Sequence, residues 1–275
     1  MTEQNQTFYG IALTSLHRHA PSWFDRVEFE LVGTSHPGNV GAAARAMRAM
    51  GLRRLALAAP RDPAVCSHPE AIARASRADD VLAAARVVPT LAQALAGCTL
   101  AIAVSAEERE FGPLAQPPEA IAERAQRELE ADPSHRVAFV FGAERTGLSI
   151  DEAGLCQALC SIPGEPDYPS LNLAQAVQVL AWCLRARVGE RTAALATSQG
   201  EPAAASRQAT HAEIEGLFEH LERALVRIEF LDPRHPKKLM PRLRRLFART
   251  RLEADELAIL RGICTQIEKH TKTSR

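Results

Sequence analysis

Short apolar runs at Val27–Val32, Arg54–Ala58, Thr99–Ser105, Arg136–Phe141 and Ala158–Ile162 predict strands. Between most of them lie alanine-rich stretches with helical signals: Val40–Met50, closed by Gly51 just past its last turn, then Leu91–Ala96, then Pro117–Glu130 with prolines in its first turn. Strands that alternate with helices make an α/β fold, a mostly parallel sheet with helices on both faces. No solenoid period recurs along the chain.

The pattern changes at both ends of this block. A polar extension over residues 1–26 precedes it and ends near Trp23. From Val188 to Thr210 the residues are small and polar, with Gly200 and Pro202 and no core-facing periodicity, which reads as a linker or arm. Three helical stretches follow, around His211–Phe230, Pro236–Thr250 and Glu253–Lys269. The first places Ile214, Leu217, Phe218, Leu221, Leu225 and Ile228 at helical spacing. The expected organisation is an extension over 1–26, an α/β domain over 27–187, a linker over 188–210 and a small C-terminal helical module over 211–275.

Composition narrows the class. Apolar residues make up 46% of the 275, enough for a proper core, so a wholly disordered chain is excluded. No apolar run approaches the roughly 18 to 20 residues that span a bilayer, and the start MTEQNQT lacks the basic and apolar regions of a secretory signal. The chain therefore reads as cytosolic. Cys66, Cys98, Cys156, Cys160, Cys183 and Cys264 lie in apolar surroundings without a C-x-x-C pair or a Cys/His cluster, so they read as reduced core thiols and no metal site is expected. Cys156 and Cys160, four apart, are spaced to share a helix face.

Formal charge is zero, yet it is segregated. The segment RHPKKLMPRLRRLFARTR, Arg234 to Arg251, holds eight Lys or Arg and no acid. Such a stretch fits phosphates as well as it fits a solvated helix face.

Three strand-to-helix loops carry the candidate chemistry. In FELVGTSHPGNVGAAARAMRAMG, residues 29–51, Asn39 stands where a helix N-cap belongs or where a ligand is met, and Arg45 follows in a small-residue run that leaves room for close packing or a ligand. Arg48 reads as a surface charge. In FGAERTGLS, residues 141–149, Gly142 sits at a strand end, and Glu144 either orients Arg45 or an RNA hydroxyl, or pairs with Arg145. In IPGEPDYPSLNLAQAV, residues 162–177, prolines stiffen the segment, Ser170 and Asn172 open the last helix of the domain, and Tyr168 either packs or stacks on a base. Three such loops at strand ends can converge on one crevice. There is no G-x-G-x-x-G after the first strand, no Walker A sequence and no G-x-S-x-G elbow, which disfavours dinucleotide, nucleoside-triphosphate and serine-hydrolase sites.

Taken in order, N-x-G-x-x-x-R at Asn39–Arg45, F-G-x-E-x-x-G-L at Phe141–Leu148 and S-L-N-L-x-x-A-V at Ser170–Val177 resemble the three motifs of the SpoU/TrmH family of SPOUT RNA methyltransferases. TSHPGNVGAAARAMRAMG in the core, with HPKKLM, LRRLFART and ELAILRGI in the tail, extends the resemblance to the TrmJ subgroup. The resemblance implies a trefoil-knotted α/β domain that is homodimeric, binds S-adenosylmethionine and methylates a ribose 2′-hydroxyl of RNA. For this subgroup it implies tRNA as partner, at a pyrimidine, nucleotide 32, of the anticodon loop.

Carried over by position, the resemblance makes Arg45 the principal catalytic residue, supported by Asn39, Glu144 and Ser170. It lines the cofactor pocket with Val104, Ser105, Ala106, Gly142, Ile162, Ser170, Leu171 and Asn172. RNA contacts fall to Tyr168, Arg109, Arg234, Lys237, Lys238, Arg242, Arg244, Arg245 and Arg249, and Arg45 would serve a cofactor held by the partner subunit. The chain departs from the pattern at Glu107, in SAEER where relatives often carry an arginine, and at Cys183, where they often carry a glutamate. Two other readings stand beside the main one: the same chemistry on ribosomal RNA or another tRNA position, and an RNA-binding protein that keeps the fold without catalysis.

Overall fold

The computed structural model describes residues 20–106, 113–194 and 207–273. Glu107 and Arg109, residues 1–19 of the expected extension and residues 195–206 of the expected linker lie outside them.

Seven strands are present among the described residues: β1 Val27–Val32, β2 Arg54–Ala58, β3 Arg86–Val88, β4 Leu100–Val104, β5 Ala115–Gln116, β6 Val137–Phe141 and β7 Ala158–Cys160. They form one sheet in the order β3-β2-β1-β6-β4-β7-β5, and every neighbouring pair is parallel. The connecting helices are α1 Pro37–Met50, α2 Pro69–Ala75, α3 Asp79–Ala83, α4 Leu91–Leu95, α5 Pro118–Ala131, α6 Ile150–Gly154 and α7 Leu173–Ala194.

Residue size differs between the two sheet faces. Val27, Phe29 and Leu31 of β1, Phe139 and Phe141 of β6 and Ile102 of β4 pack with α1, α5 and α7. Phe29 stacks on Phe139 and Phe141, with centroids 5.3 and 5.5 Å apart. The other face is lined by Ala58, Ala101, Ala103 and Ala138, with Val140 and Leu159, beneath the short helices α4 and α6. Period-two alternation within each strand sends large side chains to the long helices and small ones to the short helices.

Close helix packing depends on one glycine. A Cβ on Gly41 of α1 would stand 2.0 Å from the carbonyl oxygen of Ala71 in α2, so any side chain there must push the two helices apart. Nearby, the Arg26 guanidinium donates to the carbonyls of Leu129, Asp132 and His135, and so satisfies the C-terminal end of α5.

Two acids of β1 point into the small-residue face. Glu28 is paired with Arg86 at 3.0 Å and with Arg54 at 3.7 Å. Glu30 is fully buried, has Arg86 at 3.7 Å and receives no hydrogen bond. Burial, with the neighbouring Glu28 charge, pushes its carboxyl up to about 8, so Glu30 carries its proton at neutral pH.

The C-terminal module contains α8 His211–Arg227, α9 Leu239–Thr250 and α10 Ala254–Thr273. Thr210 and Glu213 form a reciprocal capping box that starts α8. A small core of Ala209, Leu217, Leu252 and Leu257 holds the module together, with Phe247 at its edge, while α9 itself has no fully buried residue.

The structure departs from the sequence reading at several places. Helix α7 continues to Ala194, past Val188, because Glu190, Arg191, Ala193 and Ala194 are good helix formers. Ala209, inside the expected linker, is buried and its N–H donates to Leu252 O. Cys156 and Cys160 share no helix face: Cys156 follows α6, and Cys160 lies in β7. All six cysteines are free thiols, and burial pushes Cys98 and Cys160 up to about 12. No helix among the described residues is long and apolar enough to cross a membrane.

Candidate functional site

Because all strands are parallel, their carboxyl ends share one edge, and β1, β6, β4 and β7 are consecutive in the sheet. The loops that leave them meet there, in the place where open α/β sheets bind ligands.

The first loop runs from Gly33 to His36. Pro37 occupies the first position of α1, and His36, not Asn39, stands at its N-cap. Proline's fixed φ starts the helix three residues earlier than the asparagine would. The Asn39 side chain is thereby free for a longer-range role.

The second loop folds tightly back on itself. A Cβ on Gly142 would lie 2.1 Å from the carbonyl carbon of Gly147, so only glycine fits this strand end. The turn aims Glu144 at the first loop. Its carboxylate accepts from Thr34 Oγ1 at 2.9 Å, Ser35 N at 3.2 Å, Ser35 Oγ at 3.3 Å, His36 N at 3.2 Å and Asn39 Nδ2 at 3.1 Å. Partial burial alone would raise this carboxyl, but hydrogen bonds from the backbone, Asn39 and Thr34 outweigh it and hold the group below its ordinary range. Glu144 is committed to the β1–α1 loop and pairs with neither Arg45 nor Arg145.

The third loop joins through Asn172, whose Nδ2 donates to Asn39 Oδ1 at 2.9 Å. Asn172 also caps α7, since its Oδ1 accepts from Ala174 N at 2.9 Å while its own N–H donates to Gln175 Oε1 at 3.2 Å. Ser170 lies two residues outside the cap and is exposed. A continuous chain, Glu144 to Asn39 to Asn172, thus ties the three motif loops together.

Around this chain, Val104, Ser105 and Ile162 lie half-buried and Ala106 exposed at the ends of β4 and β7, and Ser105 N donates to Cys160 O at 3.0 Å. Leu171 is exposed, and Tyr168 is 81% exposed, so it does not pack. Arg45 is not drawn into the cluster. It follows Asn39 by six residues, roughly 240° around a helix of about 3.6 residues per turn, and it is exposed with no ion pair among the described residues. Arg48, by contrast, is paired with Asp80 at 2.9 Å.

The basic segment is divided. Arg234, Lys237, Lys238, Arg242 and Arg249 are exposed, and Arg245 is half-buried. Arg244 is engaged inside the module: it pairs with Glu215, 2.8 Å from Nη2 to Oε2, and lies 4.4 Å over the Phe218 ring. Arg251 pairs with Glu128 of the α/β core. Sequence reasoning missed Thr34 and Gln175 as supports of the site. Thr34 precedes the helix within T-S-H-P, and Gln175 stands three after Asn172, at capping-box spacing.

Comparison with known proteins shows the family. The family described as SpoU rRNA Methylase matches residues 27–182, and the family described as tRNA methyltransferase TrmJ, C-terminal domain, matches residues 212–275. The chain is 44% identical, over 89% of its length and 95% of the relative's, to the tRNA (cytidine/uridine/adenosine-2′-O-)-methyltransferase TrmJ of Pseudomonas aeruginosa. It is 43% identical, over 90% and 93%, to the tRNA (cytidine/uridine-2′-O-)-methyltransferase TrmJ of Yersinia pestis. The crystal structure of TrmJ from Z. mobilis ZM4 superimposes with a TM-score of 0.73 at 31% identity, over 88% of this chain and 98% of that one.

Proposed function

Because the chain belongs to the SpoU rRNA methylase family and ends in a TrmJ C-terminal domain, we propose that it is a tRNA ribose 2′-O-methyltransferase that uses S-adenosylmethionine. Its target is the 2′-hydroxyl of a cytidine or uridine, nucleotide 32, in the anticodon loop. The observation that carries this reading is the Glu144–Asn39–Asn172 chain, which gathers all three motif loops on one strand edge. The names of relatives 44% and 43% identical along nearly the whole chain support the substrate. The working parts are an α/β core over 27–187, with the family's trefoil knot, and a basic module over 211–275.

The strand-end residues fit the cofactor's chemistry. Val104, Ile162 and Leu171 offer apolar surface for an adenine face, Gly142 lets its own loop fold back tightly beside them, and Ser105, Ala106, Ser170 and Asn172 complete the rim. When bound, the cofactor supplies a methyl on a sulfonium. Methyl transfer to oxygen is an in-line displacement, so the gain comes mainly from holding the ribose oxygen at near-attack distance and alignment.

Arg45 stabilises the developing alkoxide and the adjacent phosphate by charge-assisted hydrogen bonds, since a guanidinium keeps its charge and is a poor base; the hydroxyl proton would leave late, to water. Its outward direction suits service to a cofactor held by a partner subunit, so the active enzyme is a homodimer. Tyr168 and the exposed cations of the tail, with Arg109, take the RNA.

The test is direct. Purified protein, S-adenosylmethionine and an unmodified tRNA transcript should yield one 2′-O-methylated pyrimidine, mapped to nucleotide 32 by mass spectrometry of nuclease fragments. Arg45→Ala should lower turnover by roughly 10²–10³-fold while cofactor affinity by calorimetry stays unchanged. A wild-type protein that binds the cofactor and methylates no tRNA overturns the reading.

A further inference from the structure

The contact between the C-terminal module and the α/β core is unusual in its composition. A cavity of about 680 Å³ lies between them, lined by Ala103, Leu155 and Leu159 of the core and by Ile214, Phe218 and Phe247 of the module. This cleft opens to solvent and is not filled by side chains, so apolar packing alone does not fix the module in place. Two polar attachments do so, joined through the Ala209 N to Leu252 O hydrogen bond of 3.0 Å. At one, the first N–H groups of α8 reach back into the core, with His211 N donating to Cys98 O at 2.8 Å and Ala212 N to Ala96 O at 3.4 Å.

The second is Arg251, in the left-handed turn between α9 and α10 with φ 55°. Its guanidinium meets Glu128 of α5, a carboxylate with only 9% side-chain exposure. Glu128 also has the buried His135 beside it, Nδ1 lying 3.3 Å from Oε1. Arg124 sits close enough for its own charge to be disfavoured, first by burial and then by repulsion from Arg251. Glu128 is therefore the counter-charge of a cationic cluster drawn from both parts of the molecule. Without it, the part-buried Arg251 guanidinium would face another cation across the joint unpaired.

We propose that Glu128 and Arg251 form the latch that docks the basic module on the core, and that they act as positioning residues for tRNA by fixing where the exposed cations of α9 stand relative to the strand-end site. The tRNA part of this inference rests on the proposed function; the docking part does not. Neither residue touches the reacting atoms, so loss of the latch should raise KM for tRNA and spare kcat.

The experiment uses the full-length protein with Glu128→Gln, Arg251→Gln and the exchanged pair Glu128→Arg with Arg251→Glu. Amide hydrogen exchange at His211 and Ala212 reads docking without any assay of activity. Both single variants should accelerate that exchange at least tenfold and raise the tRNA KM about tenfold, with kcat and cofactor affinity unchanged, and the exchanged pair should recover a substantial part of both. If Glu128→Gln folds poorly, Arg251→Gln carries the test, because its side chain lies at the joint and outside the sheet core. Unchanged exchange in Arg251→Gln overturns the latch, and faster exchange with unchanged KM overturns its role in placing RNA. A wild-type protein without tRNA activity removes the proposed function, and exchange still decides the docking.

Discussion

The strand-end site and the basic module solve opposite problems. At the site one carboxylate fixes an entire loop through directional bonds to Thr34, Ser35, His36 and Asn39, and position is set before any ligand arrives. On α9 of the module no residue is fully buried, and Arg242 and Arg249 are exposed. Hydrogen bonds of fixed direction suit chemistry that depends on alignment, whereas exposed charge suits a polyanion whose phosphates need only be neutralised. On the proposed function, the difference separates where the reaction happens from what brings the RNA.

Removing one side altogether is the harshest test of that division. Deletion of everything after Gly200 should leave cofactor affinity within about twofold and abolish tRNA methylation, lowering kcat/KM by more than roughly 10³-fold, since phosphate contacts dominate nucleic-acid affinity. Calorimetry alongside a methylation assay checks both halves. Undiminished methylation by the truncated protein would show that the core binds RNA unaided.

A gentler break acts within the site. Glu144→Gln keeps the shape and removes the charge that gathers the loop, and a misplacement of about 1 Å is enough to cost on the order of 10²-fold in rate. Melting temperature should move little while kcat falls. The pH dependence follows from the depressed Glu144 carboxyl. Its contribution is complete above the ordinary carboxylate value and disappears as pH falls through the lower folded-state value. Cofactor affinity titrated down the acid limb should therefore hold longer in the wild type than the free carboxyl value predicts, and Glu144→Gln should lack that acid transition.

The smallest expected effect sharpens the module side. Lys237→Gln, which removes one exposed cation, should weaken binding of all tRNAs alike. It should also reduce the slope of log affinity against log salt by about 0.7–0.9. A base-specific change would mean that Lys237 reads sequence.

Much of this was legible in the residues. Five of the seven strands and the parallel architecture followed from apolar runs and alternating helices, and the three motifs named the loops that converge. β3 and β5 span only Arg86–Val88 and Ala115–Gln116, short edge strands with no fully buried residue, so no apolar run marks them. Helix α6 is equally short, but its start is written in Ser149-x-x-Glu152, a capping box that the structure contains. Glu30 was not legible, because an acid in a strand reads as solvent-facing, and only the closure of α4 over that face buries it. The task of Glu144 was also hidden: sequence spacing brings a residue to a loop, but which donors it gathers is decided by the tertiary approach of segments more than a hundred residues apart.

The angular offset between Asn39 and Arg45 has a consequence for how the protein works at different abundances. On the shared-site reading, an isolated copy owns both halves of the machinery yet cannot bring them to bear on one methyl group. Specific activity then becomes a property of encounters between copies, and dilution alone is enough to switch it off.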